Sequence, residues 1–323
     1  MKRDVAMNTY ESISLTIMFV MLVMALINYK RKEMKMDRLV KFMSHVDMVK
    51  ISVVETTELV EEARKIHEMN PTPTAALGRT LTMATLMGTM MKNETDKLTI
   101  QILGDGPAGQ ILVSCNSKGE VKGYIANPLA EADLKENGKL NVSGIIGKGQ
   151  LNIIKDIGLK DPYVGNVPLQ TSEIAEDFAY YYAMSEQIPT AVALGVLVDK
   201  DGSVKKAGGY IIQILPDTPE QIIKLIEDRI KESKSITEML EDGMTLEEIA
   251  TYISDDLGTY VVEELEPKYK CDCSRERMEK ALISIGKKDI MELAEDEITE
   301  VECHFCNTKY KFTKEEILAL IKE

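Results

Sequence analysis

Tryptophan is absent from the 323 residues, and aromatic side chains make up only 5% of them. A sizeable core must then be filled by aliphatic residues and by the 19 methionines. Methionine is a flexible side chain that suits irregular gaps and adaptable binding surfaces. Positive charge is the next shortage: 39 lysines and arginines face 53 carboxylates, a net charge of −14. A general nucleic-acid binder needs a basic surface, so that class is disfavoured. A solvated, self-repelling exterior is favoured instead. Histidine occurs three times, and His45 and His67 stand alone. No nucleophile, base and orienting group line up as a catalytic set. Cysteine occurs five times, and those five positions carry most of the information.

The length exceeds one usual domain. Residues 1–35 stand apart. From Ser12 to Tyr29 there is no charge, and Lys30, Arg31 and Lys32 follow. That length just reaches the ~17–25 residues of a spanning helix. The cations after it would hold the following side in the cytoplasm. A signal peptide fits less well, because its basic region precedes the apolar run. The stretch resembles the one-span, holin-like toxin peptides of Gram-positive bacteria. The alternative is an upstream start: translation from Met34 or Met36 gives an ordinary soluble opening. We favour the upstream start or an accidental fusion, and a membrane contact is expected only if residues 1–35 are made and inserted.

Residues 36–215 read as an α+β core with a largely antiparallel sheet. The spacing of Leu59, Ala63 and Ile66 predicts a helix over 55–70. Residues 72–93 are helical and apolar nearly all round, which predicts burial. Strands are expected over 98–104, 110–116, 121–127, 150–157 and 163–169. A helix over 171–187 takes Thr171 or Ser172 as its cap. Residues 191–215 form a hairpin around Asp201-Gly202. "GDGPAG" at 104–109 fits the spacing of a dinucleotide-binding loop, but a strand rather than a helix follows it, so the glycines make a turn.

Residues 216–268 hold fifteen acidic and five basic side chains and form an acidic helical linker. Ile222, Ile223, Ile226 and Ile230 mark one amphipathic face, and 244–253 marks another. Such helices need a neighbour to cover, and their charge favours disorder without it. Residues 269–323 form a small C-terminal unit. It contains a helix over 274–286 stopped by Gly286, a hairpin over 298–312, and a final helix opened by the capping box Thr313 and Glu316. Its apolar side chains are too few for a self-sufficient core, and units of this size need a staple.

The staple is written as "CDC" and "CHFC". Cys271 and Cys273 are followed, after twenty-nine residues, by Cys303 and Cys306. Four thiolates from two knuckles suit one tetrahedral Zn2+, and binding that metal is itself folding free energy. His304 is a bystander inside the second knuckle, and Cys115, in a strand, is an inert buried thiol. Lys268, Lys270, Arg275 and Arg277 surround the first pair and should help hold its negative charge. A common zinc ribbon has two C-x-x-C knuckles. The C-x-C pair is tighter, and a disulfide closing it is strained and labile. Such chemistry suits a switch whose output is unfolding.

The strings "CDCSRER" (271–277) and "CHFC" (303–306), with "QILGDGP" (101–107), "EDFAYYYAMSEQIPT" (176–190) and "AGGYIIQILP" (207–216), resemble the 33 kDa chaperonin family, the redox-regulated heat-shock chaperones of bacteria. Order and spacing match over about 37–320. The resemblance implies a cytoplasmic, stress-responsive holdase that is not an enzyme and uses neither nucleotide nor nucleic acid. It implies Cys271, Cys273, Cys303 and Cys306 as ligands of one zinc ion in the reduced state. Oxidation then forms the disulfides Cys271–Cys273 and Cys303–Cys306, releases zinc and unfolds the linker. A surface for unfolded client proteins is uncovered, and the active form is a homodimer. The methionine-rich helix 72–93 and the apolar sheet positions beneath the linker are expected to contribute that surface.

Overall fold

The computed structural model describes residues 36–320. Two sheets carry the architecture. The first holds β1 (Arg38–Ser44), β2 (Val49–Glu55), β8 (Thr190–Val198), β9 (Val204–Ile214) and β10 (Thr259–Leu265), in the order β10-β1-β2-β9-β8, all antiparallel. The second holds β3 (Lys97–Gly104), β4 (Gln110–Asn116), β5 (Glu120–Ile125), β6 (Gly149–Asp156), β7 (Tyr163–Pro168) and the two-residue β11 (Lys268–Tyr269), in the order β11-β5-β4-β3-β6-β7. Only β11, beside β5, runs parallel to its neighbour. The expected α+β class with antiparallel sheets is what the chain adopts. "GDGPAG" is the turn between β3 and β4.

Helix α1 (Thr57–His67) and helix α2 (Pro71–Gly88) pack in the main core, with α2 against strands of both sheets. Thr56 offers no side-chain cap to α1. Asp37 does so from outside the helix, accepting from the amides of Glu58 (3.0 Å) and Leu59 (2.7 Å). The burial expected for the apolar helix holds along nearly all of α2. Four of its threonines can be buried because each hydroxyl donates to the carbonyl four residues back: Thr74 to Asn70, Thr80 to Ala76, Thr82 to Gly78 and Thr85 to Leu81, at 2.8–2.9 Å.

The first sheet is apolar on both faces, with the period of two that a pleated strand imposes. Leu39, Val54 and Ile211 face the main core. Val40, Phe42, Val49, Ile51, Val53, Tyr210 and Ile212 face the other way. That second face is covered by α5 (Glu220–Glu232), α6 (Ile236–Glu241) and α7 (Leu246–Ser254), through Ile226, Ile236, Met239, Leu240, Ile249 and Ile253. Helices α3 (Val142–Ile146) and α4 (Ala175–Tyr181) border the second sheet, where Val142, Ile145, Phe178 and Tyr181 join the main core. Capping boxes fix the starts of α6 (Ser235 with Glu238) and α7 (Thr245 with Glu248).

Three sequence expectations change. The helix expected over 171–187 is α4 followed by a wider π turn over Tyr182–Glu186. Neither Thr171 nor Ser172 caps it. The Asp177 carboxylate collects the amides of Gln170, Thr171 and Ile174 at 2.6–3.0 Å, which bends the preceding chain and delays the helix. The acidic segment is helical only to Leu257. It then becomes β10, an edge strand that keeps its carboxylates in solvent while β1 satisfies its backbone. Finally, α2 lies on the opposite side of the first sheet from α5–α7. Helix α2 is therefore not part of the sheet face that α5–α7 cover. The uncharged stretch 12–29 falls outside the described residues. Among those described, no helix is long and apolar enough to cross a membrane.

Candidate metal centre

The C-terminal unit has a core of five buried residues: Leu282, Ile290, Ala294, Phe312 and Ile317. They come from α8 (Arg275–Ser284), α9 (Lys287–Leu293) and the Ala294 that ends it, the hairpin β12 (Ile298–Glu302) with β13 (Lys309–Thr313), and α10 (Lys314–Leu320). Ser274 caps α8 by accepting from the Arg277 amide. Gly286, at φ 97°, lets the chain turn out of α8, and the Thr313–Glu316 box opens α10 as expected. The unit is as poor in core as its sequence suggests.

The four sulfurs meet where this unit joins the sheets. Their ligand atoms all lie within 4.8 Å of one another. Cys271 Sγ is 3.7 Å from Cys303 Sγ, and Cys273 Sγ is 3.4 Å from Cys306 Sγ. A tetrahedron with metal–sulfur bonds of about 2.3 Å has edges of about 3.8 Å. The set therefore fits one soft divalent cation held by both knuckles. The second knuckle is shaped by its backbone. The Cys303 carbonyl accepts from the amides of Cys306 (3.2 Å) and Asn307 (2.8 Å), and Asn307 takes the left-handed conformation at φ 55°. His304 is not in the cluster; its ring faces Tyr124 at 5.6 Å.

Burial pushes the Cys271 and Cys303 thiols up. It also opposes ionisation of Cys306, but hydrogen bonds with Thr308 and with the neighbouring cysteines bring that thiol down to about 7. Two hydroxyls touch the cluster. Tyr310 donates to Cys273 Sγ at 3.1 Å, and Thr308 Oγ1 lies 3.2 Å from Cys306 Sγ. The sequence analysis passed over both. The signal was their place at the start of the returning strand, two and four residues after Cys306.

The basic residues around the first knuckle pair with carboxylates rather than with sulfur. Lys270 meets Glu120 at 2.6 Å, Arg277 meets Asp272 at 2.5 Å, and Arg275 meets Glu316 at 2.7 Å while stacking on Phe312 at 4.2 Å. Lys268 is 3.8 Å from Glu120. Asp272, between the two cysteines, is also paired with Lys122 of β5. Burial opposes its ionisation, but the two cations hold its carboxyl at about 2.

Several contacts seat the centre on the core. The Lys268 and Lys270 amides donate to Gly119 and Val121 at 3.1 and 2.8 Å. The Tyr269 hydroxyl lies between the carbonyls of Gly123 (2.8 Å) and Phe305. His67 Nε2 is 3.0 Å from the same Gly123 carbonyl, which is its structural role. Burial lowers the pKa of this ring. His45 lies against Tyr260, with ring centroids 5.7 Å apart. Cys115 is remote from the cluster and buried, and burial pushes its thiol far up, as an inert cysteine requires.

Residues 37–313 match the family model described as Hsp33 protein. The chain is 53% identical over 290 residues to a 33 kDa chaperonin of Clostridium perfringens, covering 89% of this chain and 91% of that protein. It is 52% identical over 283 residues to a 33 kDa chaperonin of Clostridium botulinum, covering 87% of this chain and 96% of that one. The fold is similar to the crystal structure of the 33 kDa chaperonin of Thermotoga maritima, with a TM-score of 0.82 and 39% identity over 88% of this chain and 97% of that one. With a four-cysteine cluster able to hold a metal at its centre, the chain belongs to the 33 kDa chaperonin (Hsp33) family of redox-regulated chaperones, which are not enzymes.

Proposed function

We propose that this protein is an ATP-independent holdase switched on by oxidation of its four-cysteine site. The observation that carries the proposal is the meeting of the four sulfurs at the point where the acidic segment joins the C-terminal unit. In the reduced state Cys271, Cys273, Cys303 and Cys306 hold one Zn2+. Bound there, zinc supplies folding free energy, ~10–16 kcal/mol for structural sites, to a unit with a five-residue core. Peroxide takes two electrons from each pair of thiolates and leaves as two hydroxide ions. The products are the disulfides Cys271–Cys273 and Cys303–Cys306, which no longer donate as thiolates.

The path from site to surface is short along the chain. Cys271 follows the two-residue β11, which follows the edge strand β10, which follows α7. Strand β10 is mostly exposed and held by its pairing with β1 and by the ion pairs Arg38–Glu264 and Lys41–Glu263, both 2.7 Å. Surface ion pairs of this kind contribute little. Melting the C-terminal unit frees β11, and β10 and the acidic helices α5–α7 follow. The face they cover, with Val40, Phe42, Val49, Ile51 and Val53, then receives apolar segments of unfolding clients. The active form is a homodimer working in the cytoplasm, without nucleotide or nucleic acid. Membrane contact arises only if residues 1–35 are made and inserted.

The test uses reduced, purified protein. Zinc release is followed with a chelating dye after peroxide at elevated temperature, and suppression of client aggregation is scored in parallel. Release, two disulfides and gain of suppression are expected together. Suppression that ignores oxidation would leave a static zinc module, and none in either state would remove the chaperone reading.

A further inference from the structure

The inner face of the first sheet does not stay apolar to its end. Leu39, Val54 and Ile211 face the main core. By the period of two, Lys41 and Met43, Lys50 and Ser52, and Gln213 share that face. Register sets them side by side: Lys50 pairs with Met43 and with Gln213, and Ser52 pairs with Lys41. Helix α2, which covers this face elsewhere, stops at Gly88. Beyond its end lies a cleft of about 690 Å³, walled by Met90 and Met91 on one side and by Val262 and Leu265 of β10 on the other. That volume falls within the ~300–1,000 Å³ of small-molecule sites. Lys41 ties the walls together, donating to the Thr89 carbonyl and pairing with Glu263 of β10 at 2.7 Å. The β1–β10 register shifts between Lys41 and Phe42, which leaves Val262 without an opposite residue at the edge of the cleft.

Three polar side chains meet on the floor of the cleft. Ser52 is only 6% exposed, yet its hydroxyl makes no hydrogen bond among the described residues. Burying a hydroxyl unpaired is costly, and a buried polar group without a protein partner points to a ligand or solvent. The Gln213 amide and the Lys50 ammonium beside it also have no side-chain partner among the described residues. The carboxylates of the lining are already neutralised, Glu94 by Lys118 and Glu263 by Lys41, both at 2.7 Å. Lys50 therefore leaves the cleft cationic in a chain of net charge −14. An ammonium, a hydroxyl and an amide all donate hydrogen bonds, and together they suit a carboxylate. The apolar part, Met43, Met90 and Met91, is unbranched and adaptable, as a flexible alkyl chain requires. Phe42, the one aromatic residue at the cleft among the described residues, packs its ring on the opposite face, so a planar base has no stacking platform.

We propose that this cleft binds a single-chain amphiphilic carboxylate, such as a medium-chain fatty acid. Its head lies on Lys50, Ser52 and Gln213, and its chain runs along the methionines to Val262. The bound molecule bridges β1 and β2 to β10, the strand that the redox switch proposed above releases. It therefore binds the covered state, not the open one, and by linkage holds the cover down. The binding stands on the cleft alone; the regulation rests on that switch.

The experiment titrates the full-length, reduced protein with decanoate in a calorimeter, and with decanol as the neutral counterpart. One decanoate per chain and weaker binding of decanol are expected. Lys50→Gln removes the cation from an exposed position, and Ser52→Ala removes a hydroxyl that bonds nothing in the fold. Each should weaken decanoate about tenfold, the scale of one charged hydrogen bond. No saturable binding, equal binding of decanol, or wild-type affinity in both variants would overturn the site. Hydrogen exchange then reads the cover. At about ten times its Kd, decanoate should slow the exchange of β10 amides about tenfold, and Lys50→Gln at the same concentration should show little slowing. After peroxide, suppression of client aggregation should appear later in the decanoate-bound wild type. Saturating decanoate with unchanged β10 exchange would overturn the holding role. Failure of ligand-free wild type to gain suppression with peroxide would instead sink the switch, and the titration would still decide the site.

Discussion

Asn307 donates from Nδ2 to the backbone carbonyl of Ile66 at 2.7 Å, tying the second cysteine knuckle to the last turn of α1. The two residues are far apart in sequence, and Asn307 adopts the left-handed conformation that Asn and Gly accept most readily. Asn307→Gly keeps that backbone and removes the donor. We expect faster hydrogen exchange in β11 and at the end of α1, a cost of about 1 kcal/mol in docking, and unchanged zinc stoichiometry. Exchange equal to wild type would mean that the bond adds nothing to the seating of the centre.

The covering helix α6 rests directly on glycines. A Cβ at Gly195 would stand 2.7 Å from Thr237 and 3.0 Å from Ile236, and one at Gly208 would stand 2.7 Å from Leu240. Gly195→Leu should push α6 off the sheet at a cost of about 1–3 kcal/mol, with the sulfurs untouched. The reduced, zinc-loaded variant is then expected to suppress client aggregation without oxidant. If it stays inactive, the face beneath α6 is not the client surface.

Metal removal should act locally. With a core of five buried residues, the unit after β11 should depend on the proposed metal, whereas the two-sheet core has a large buried core of its own. A strong chelator under reducing conditions is expected to abolish exchange protection in α8–α10 and the β12–β13 hairpin while strands β2, β3 and β9 keep theirs. Loss of protection in those strands as well would place the metal in the main folding unit.

Asp37 gives a pH dependence. Burial pushes its carboxyl up to about 7, although the Leu59 and Glu58 amides pull it down. In the unfolded chain it titrates near 3.9. The folded protein therefore holds this proton more tightly, and the associated stability is full below about pH 4 and lost as pH rises toward 7. Asp37→Asn cannot titrate and keeps an oxygen for one of the two amides. Stability of the wild type relative to this variant should fall across that window, at most by about 1.4 kcal/mol per pH unit. A difference constant from pH 4 to 7, in urea unfolding followed by circular dichroism, would show a carboxyl already ionised.

Local signals were legible where neighbours in sequence are neighbours in space. The hairpin around Asp201-Gly202, the Thr313–Glu316 box and the stop at Gly286 each depend on residues a few positions apart, and each lies where the spacing puts it. Strands β1 and β2 received no assignment, although Val49, Ile51 and Val53 alternate as a strand should. Strand β10 was hidden by its charge. Its carboxylates read as part of an acidic helical run, and only pairing with β1, more than two hundred residues earlier, makes the segment extended. Asp177 misled the capping argument because a carboxylate that gathers amides from both sides of a bend leaves no simple spacing.

The sequence by itself determined the four sulfurs, the small dependent unit and the acidic cover, because composition and short spacing fix which groups exist and how little core they have. Only the tertiary structure decided that the four sulfurs of two distant knuckles converge within 4.8 Å, that the Tyr310 hydroxyl donates to Cys273, and that α2 lies behind the sheet rather than under the cover. Those relations arise when distant segments are pressed together by burial and backbone pairing, and no periodicity along the chain records them.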